Sequence, residues 1–339
     1  MPLDPVALAR DLCAIPSVTG DEAAVGAHIE GVLRGLGLTT ERQSPEGPRF
    51  NLLARTDEKP RVVLSTHMDT VPPHLPLRED ETHLYGRGVC DAKGILACQI
   101  AAAAQLLEAG ERRIGLLFTV DEEAGSLGAR VANLHPMARE CRYLINGEPT
   151  EGVLASGTKG SLRLSITTTG RAAHSAYPEA GESAIEALLD VLRAIRTHDW
   201  PSDAALGETT VNVGLISGGV AANVLAPDAS AVLQMRLVTA PEPILEVLEA
   251  LCGERCRVDV LTASAPIRLL VPDGFESAPV RYTTDIPYLT NWGRPLLYGP
   301  GSILVAHTDE ERVEKRALTD ATDGYVRLAR ALLDLDAAA

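Results

Sequence analysis

Arg61-Val62-Val63-Leu64-Ser65-Thr66-His67-Met68-Asp69-Thr70-Val71-Pro72 is the stretch that decides the fold. Arg61 to Thr66 is a short apolar run, and it stops at side chains able to bind a metal. Working outward, the pattern recurs: Ile95 to Leu107 is an Ala-rich helical segment, Ile114 to Val120 ends at Asp121-Glu122-Glu123, and Tyr143 to Ile145 is followed by Glu148. Apolar runs alternating with helical segments argue for a mainly parallel sheet covered on both faces, since strands buried on both sides are apolar throughout. The first domain is expected to be α/β. Open sheets of this kind carry their ligands at the carboxyl ends of the strands.

Upstream, Asp4-Pro5 reads as an N-cap and first-turn proline, and Thr19-Gly20-Asp21-Glu22 as a capping box before a second helix that Gly37 closes. From Gly157 the texture changes. Leu162, Leu164 and Ile166 alternate with polar residues, Ile185 to Ile195 recur at helical spacing, and Thr210 to Ile216 and Ser230 to Val238 are strands. A helix through Leu248 and a strand near Val258 complete the series. The order βαββαβ is that of a ferredoxin-like module. Helical texture resumes at Leu318 to Leu333 after a strand at Leu296 to Tyr298, so residues 157–265 are expected as an insertion into a domain formed by 1–156 and 266–339. Ala337-Ala338-Ala339 is expected to fray.

A chain of 339 residues with 45% hydrophobic content can bury two cores. Its net charge of -15 argues against nucleic acid and anionic membranes as partners. The start Met1-Pro2-Leu3-Asp4 lacks a basic segment followed by an apolar one, so a cytoplasmic protein is expected. The six cysteines have no paired spacing, which fits reduced thiols; Cys252 and Cys256 lie four apart without a second pair to complete a zinc knuckle.

The clusters gain meaning together. His67 and Asp69 would point the same way in extended chain, leaving Asp69 to hold one imidazole nitrogen while the other binds metal. Alone, a histidine and aspartate at a strand end are more often ordinary polar structure. Gly86-Arg87-Gly88-Val89-Cys90-Asp91-Ala92-Lys93-Gly94 has the glycines of a phosphate loop, but it lacks the Gly-Lys-Ser/Thr ending and carries Asp91 where an anion would sit. A divalent cation suits it better. In Asp121-Glu122-Glu123, adjacent residues of extended chain face opposite ways, so one glutamate can ligate while its neighbour carries a proton. A solvated acidic loop is the plainer reading of that segment by itself.

In order and spacing, His67-x-Asp69-Thr70-Val71-Pro72, Gly86-Arg87-Gly88 with Asp91, Asp121-Glu122-Glu123 and Gly147-Glu148-Pro149-Thr150 resemble the acetylornithine deacetylase, succinyl-diaminopimelate desuccinylase and carboxypeptidase G family. The resemblance continues through Gly170-Arg171-Ala172-Ala173-His174-Ser175, Gly218-Gly219 with Asn223, Arg236, and Gly299-Pro300-Gly301 before Ala306-His307, covering nearly the whole chain. It implies a zinc-peptidase-like catalytic domain with a ferredoxin-like lid and dimerisation domain. It also implies a pair of zinc ions, for which cobalt can substitute, shared by Asp91, one with His67 and Glu148 and the other with Glu123 and His307. Three carboxylates would cancel three of the four positive charges, leaving the open, near-neutral arrangement that catalytic zinc uses. By the same resemblance Glu122 is the general base, Arg236 clamps a substrate carboxylate with help from Asn223, and His174 stabilises an oxyanion, often across a homodimer interface of the inserted module. The alternation of Leu233, Met235 and Leu237 independently puts Gln234 and Arg236 on the open face of their strand.

The substrate implied is a small N-acyl amino acid or dipeptide. Glu148, where some aminopeptidases and dipeptidases of the family carry aspartate, leans towards deacylases and carboxypeptidases. An acetylornithine deacetylase of arginine biosynthesis comes first. Succinyl-diaminopimelate desuccinylase, a carrier-protein lysine or ornithine hydrolase, and a carboxypeptidase or dipeptidase follow. A non-catalytic binding protein on this fold, and a nucleotide-dependent enzyme using the loop at Gly86, are the rivals from other classes.

Overall fold

The computed structural model describes residues 3–254 and 256–338, so Met1, Pro2, Arg255 and Ala339 lie outside the described residues. Ten strands build the two main sheets: β1 Thr39–Glu46, β2 Arg49–Arg55, β3 Val62–His67, β4 Ile114–Thr119, β5 Tyr143–Asn146, β6 Gly160–Thr169, β7 Thr210–Gly218, β8 Asp228–Leu237, β9 Cys256–Ser264 and β10 Arg294–Leu297. Seven helices accompany them: α1 Pro5–Cys13, α2 Ala23–Gly35, α3 Lys93–Glu108, α4 Leu127–Ala132, α5 Ala184–Thr197, α6 Pro241–Cys252 and α7 Lys315–Ala338. The chain divides into two compact units, Met1–Ser156 with Leu269–Ala278 and Thr284–Ala339, and Gly157–Arg268 with Pro279–Thr283.

The first unit carries a six-stranded sheet in the order β1-β2-β4-β3-β5-β10. Strands β4, β3, β5 and β10 run parallel, as their apolar sequences require. Val62 and Leu64 pack on one face with Leu96 and Ile100 of α3 and Tyr325 of α7, while Val63 packs on the other with Leu117, Leu144 and Trp292. Because α3 is enclosed, it is apolar nearly all round, and even Lys93 at its start is buried with its Nζ donating to the Ile15 carbonyl at 2.8 Å.

The second unit is a four-stranded antiparallel sheet in the order β7-β8-β6-β9, with α5 and α6 packed on one face. Leu162, Leu164, Ile166, Leu233, Met235 and Leu237 point into that core, so the expected ferredoxin-like module is present.

One pairing went unread and two local expectations fail. The pair β1 and β2 joins the sheet antiparallel to β4, a hairpin that the sequence hid because β1 is a largely exposed, charged edge strand without alternation. The capping box does not form: Thr19 Oγ1 donates to Asp69 Oδ2 at 2.9 Å, and Glu22 sits at the N-cap with no side-chain cap of α2. Both side chains are drawn instead to the loops beside the parallel strands. Finally, α7 runs on to Ala338, so the expected fraying does not begin at Ala337.

Candidate metal centre

The three central parallel strands end side by side. His67 closes β3 and pairs in register with Thr119, the last residue of β4, while Ser65 pairs with Asn146, the last of β5. Whatever follows each strand therefore emerges at one edge of the sheet. His67, Asp91 and Glu123 each bring a ligand atom to within 4.8 Å of the others. His67 Nε2 lies 3.1 Å from Asp91 Oδ1, and His307 Nε2 lies 3.2 Å from Asp91 Oδ2 and 2.9 Å from Glu123 Oε1. Asp91 is thus flanked by both imidazoles. Glu148 stands two residues beyond β5, buried, with its Oε1 lacking a hydrogen-bond partner among the described residues.

Electrostatics describe a cluster short of positive charge. Burial, with Glu122 and Asp91 nearby, pushes the Glu148 carboxyl well above the usual glutamate range. Burial, with Asp285 and Glu123 nearby, does the same to Glu122. Glu123 is raised less, since its hydrogen bond to His307 opposes its burial. Asp91 goes the other way, because hydrogen bonds from His307 and His67 outweigh its burial. Those bonds lift His307 to about 10, and for His67 the bonds to Asp69 and Asp91 overcome burial and raise it well above its ordinary value. The groups beside these carboxylates that can carry positive charge are the two imidazoles, His67 and His307. An orphaned glutamate oxygen beside a mixed histidine and carboxylate donor set fits divalent zinc-like cations.

The loops are held by further carboxylates. Asp69 accepts from the backbone N–H groups of Glu122 and Glu123, each at 3.1 Å, and from Thr19. Its expected grip on His67 is made chiefly through its backbone carbonyl, 2.9 Å from Nδ1, with the carboxylate at 3.5 Å. The extended-chain argument for Glu122 and Glu123 does not survive: β4 stops at Thr119, Asp121 has φ 71°, and both glutamates lie on a turn. Buried Asp121 is secured by Arg49 at 2.8 Å. Sequence reasoning missed Asp285, whose Oδ2 accepts from Thr119 Oγ1 at 2.8 Å and whose carboxyl burial raises to about 6. No apolar strand precedes it to flag it.

The remaining expected site residues lie in the second unit. Arg236 is half-buried, its Nη1 donates to Thr283 Oγ1 at 3.2 Å, and it has no ion-pair partner among the described residues. His174 and Asn223 are both exposed. Their strands of loop run together, with His174 bridging to Val224 and the Ser175 N–H donating to the Asn223 carbonyl. His174 Nδ1 accepts from the Ala176 N–H at 3.1 Å, which leaves the ring proton on Nε2 as a free donor.

Histidines and carboxylates gathered at the ends of parallel strands, with a buried glutamate beside them, define a metal-dependent hydrolase. A family model described as peptidase family M20/M25/M40 matches residues 63–331, and the chain belongs to that family, hydrolysing amide or peptide bonds. It is 36% identical over 97% of its length to a probable carboxypeptidase of Emericella nidulans, 89% of which is covered. In fold it is similar to a tripeptidase of Staphylococcus aureus, with TM-score 0.79, 20% identity and 98% of each chain covered. It is also similar to a dinuclear metal-binding peptidase of the same family from Bacillus subtilis, with TM-score 0.72, 14% identity and 98% of each chain covered.

The raised carboxyls and imidazoles set a sign for stability. A group whose pKa is higher in the folded protein contributes stability below its unfolded pKa and loses it as pH rises through the folded value. For Asp285 that window runs from the ordinary aspartate range to about 6, for Glu122 and Glu148 it extends higher, and for His307 it reaches about 10. Chelator-treated protein is therefore expected to lose stability as pH rises from 5 to 8. Added Zn2+ at about a hundred times its Kd should restore about 2.7 kcal/mol. Urea denaturation at several pH values, with and without metal, checks this; a metal-free form that gains stability over that range would contradict it.

Proposed function

We propose that this chain is a two-metal carboxypeptidase that removes the C-terminal residue of small peptides, with Met1–Ser156 and its partner segments as the catalytic unit and the inserted module as the lid and dimerisation unit. The reading moves the sequence expectation from N-acetyl amino acids to peptides, because the carboxypeptidase-named relative spans nearly the whole chain. Arg236 is the observation that carries it. A half-buried guanidinium that donates to the neutral hydroxyl of Thr283 has its planar fork available for a substrate's terminal carboxylate.

His67 and Glu148 would hold one ion, Glu123 and His307 the other, with Asp91 shared; zinc is proposed, with cobalt able to replace it. When bound, such ions acidify water and polarise the scissile carbonyl. Glu122 would be the base that takes a proton from the attacking water and returns it to the leaving amine. Asp69 keeps Glu122 in place through its backbone N–H and orients His67. In this reading Arg236 and Asn223 would bind the substrate carboxylate, and the Nε2 proton of His174 would stabilise the oxyanion.

A homodimer through the inserted module is part of this proposal. Edge strand β7 exposes Leu215 at 65% and Ile216 at 56%, apolar surface that an edge strand ordinarily covers or avoids. Light scattering and activity across a dilution series test it: activity should fall as the dimer dissociates, whereas a fully active monomer would remove the dimer and any role of His174 across it.

Peptides with a free C-terminus, their C-terminal amides, and N-acetylated and N-succinylated amino acids form the decisive panel. Free-carboxylate peptides should be cleaved fastest and amides poorly, with Arg236→Met raising KM for the former alone. Glu122→Gln should keep its metal and lose about 100- to 10,000-fold in kcat. N-acetylornithine turned over faster than every peptide would overturn the carboxypeptidase reading and return the deacetylase.

A further inference from the structure

The loop Gly86 to Asp91 has the composition of an anion-binding loop, and it does hold an anion, one belonging to the chain itself. Glu311 is 1% exposed, and its Oε1 accepts from the backbone N–H groups of Gly88 at 2.8 Å, Cys90 at 3.1 Å and Asp91 at 3.2 Å. Its Oε2 takes Arg87 Nη1 at 2.7 Å. The donors a phosphate would need are already consumed, which argues against the nucleotide-dependent reading of this loop.

We propose that Glu311 is a positioning residue for the metal centre, fixing Asp91 and His307 in one register. The claim rests on the two-metal reading above. Asp91 is the last residue of the gathered loop, so its backbone N–H is tied to Glu311 while its carboxylate lies between His67 and His307. Arg87 closes the connection from the other side, because the same Nη1 that meets Glu311 also donates to the carbonyl of Thr308, the residue after His307. The loop has little room to settle elsewhere. A Cβ at Gly94 would come within 2.1 Å of the Val89 carbonyl, and one at Gly88 within 2.6 Å of Lys93 Cε. With the Glu311 carboxylate removed, three buried N–H groups lose an ionised acceptor and Arg87 loses its counter-charge. The loop is then held less firmly, and with it the placement of Asp91. Groups that orient ligands in this way are typically worth about 10- to 100-fold in metal affinity.

The test is a Co2+ titration of the full chain by calorimetry, with the visible absorption spectrum of the bound ion recorded alongside. Glu311→Ala is expected to bind Co2+ about 10- to 100-fold more weakly, with a changed spectrum. Glu311→Gln keeps the side chain's volume and one acceptor oxygen but not its charge, and should fall between this and wild type. If Glu311→Ala does not fold, Glu311→Gln decides alone. A variant that is folded by circular dichroism and binds Co2+ with wild-type affinity and spectrum overturns the positioning role while leaving the two-metal reading intact. A wild-type chain that takes up no Co2+ overturns both.

Discussion

Six carboxylates, those of Asp69, Asp91, Glu122, Glu123, Glu148 and Asp285, are gathered around the carboxyl ends of three parallel strands, and their mutual repulsion is the constraint on which the rest of the catalytic unit depends. Four have partners within the chain: Asp69 meets backbone N–H groups, Asp91 both imidazoles, Glu123 the His307 imidazole and Asp285 the Thr119 hydroxyl. Glu148 has an oxygen with nothing to meet it. Burying such groups costs stability unless positive charge is brought in, and the protein's own supply at this place is two histidines. A pair of divalent cations supplies what is missing. The electrostatic penalty of gathering these carboxylates is thus the counterpart of the centre's affinity for divalent cations.

The same constraint explains how the surrounding loops are built. A ligand is useful only if its backbone cannot retreat from the crowd, and each loop here is fastened by a separate buried carboxylate. Asp69 gathers the N–H groups of Glu122 and Glu123, Asp285 takes the hydroxyl of Thr119 at the end of β4, and Glu311 gathers the loop before α3. Arg87 balances Glu311, and Arg49 balances the neighbouring Asp121, at the margin, where a fixed cation does not compete with the metal. Negative charge thus serves two purposes in one region, ligation and anchoring. The distinction lies in whether its oxygens meet N–H and hydroxyl donors or the imidazoles.

Much of this was legible in the sequence, for identifiable reasons. Strands buried on both faces are apolar runs, so Val62 to His67, Ile114 to Thr119 and Tyr143 to Asn146 could be read, and with them the place where His67, Glu122, Glu123 and Glu148 emerge. Strict alternation exposed the ferredoxin-like module and the side of β8 that carries Arg236. What stayed hidden lacked a local signature. The β1 and β2 hairpin has one edge strand of charged residues, Glu22 and Thr19 have the spelling of a helix cap but bond to distant loops, and Asp285 and Glu311 act through partners 166 and 220 or more positions away. Long-range anchoring of backbone N–H groups leaves no periodicity to detect.

Anomalous diffraction from crystals of the zinc-reconstituted protein, recorded on both sides of the zinc absorption edge, tests the central claim most directly. The account requires two peaks per chain, close together and within coordinating distance of His67, Asp91, Glu123, Glu148 and His307. A well-ordered centre holding no zinc, or zinc bound only at other sites, would contradict it.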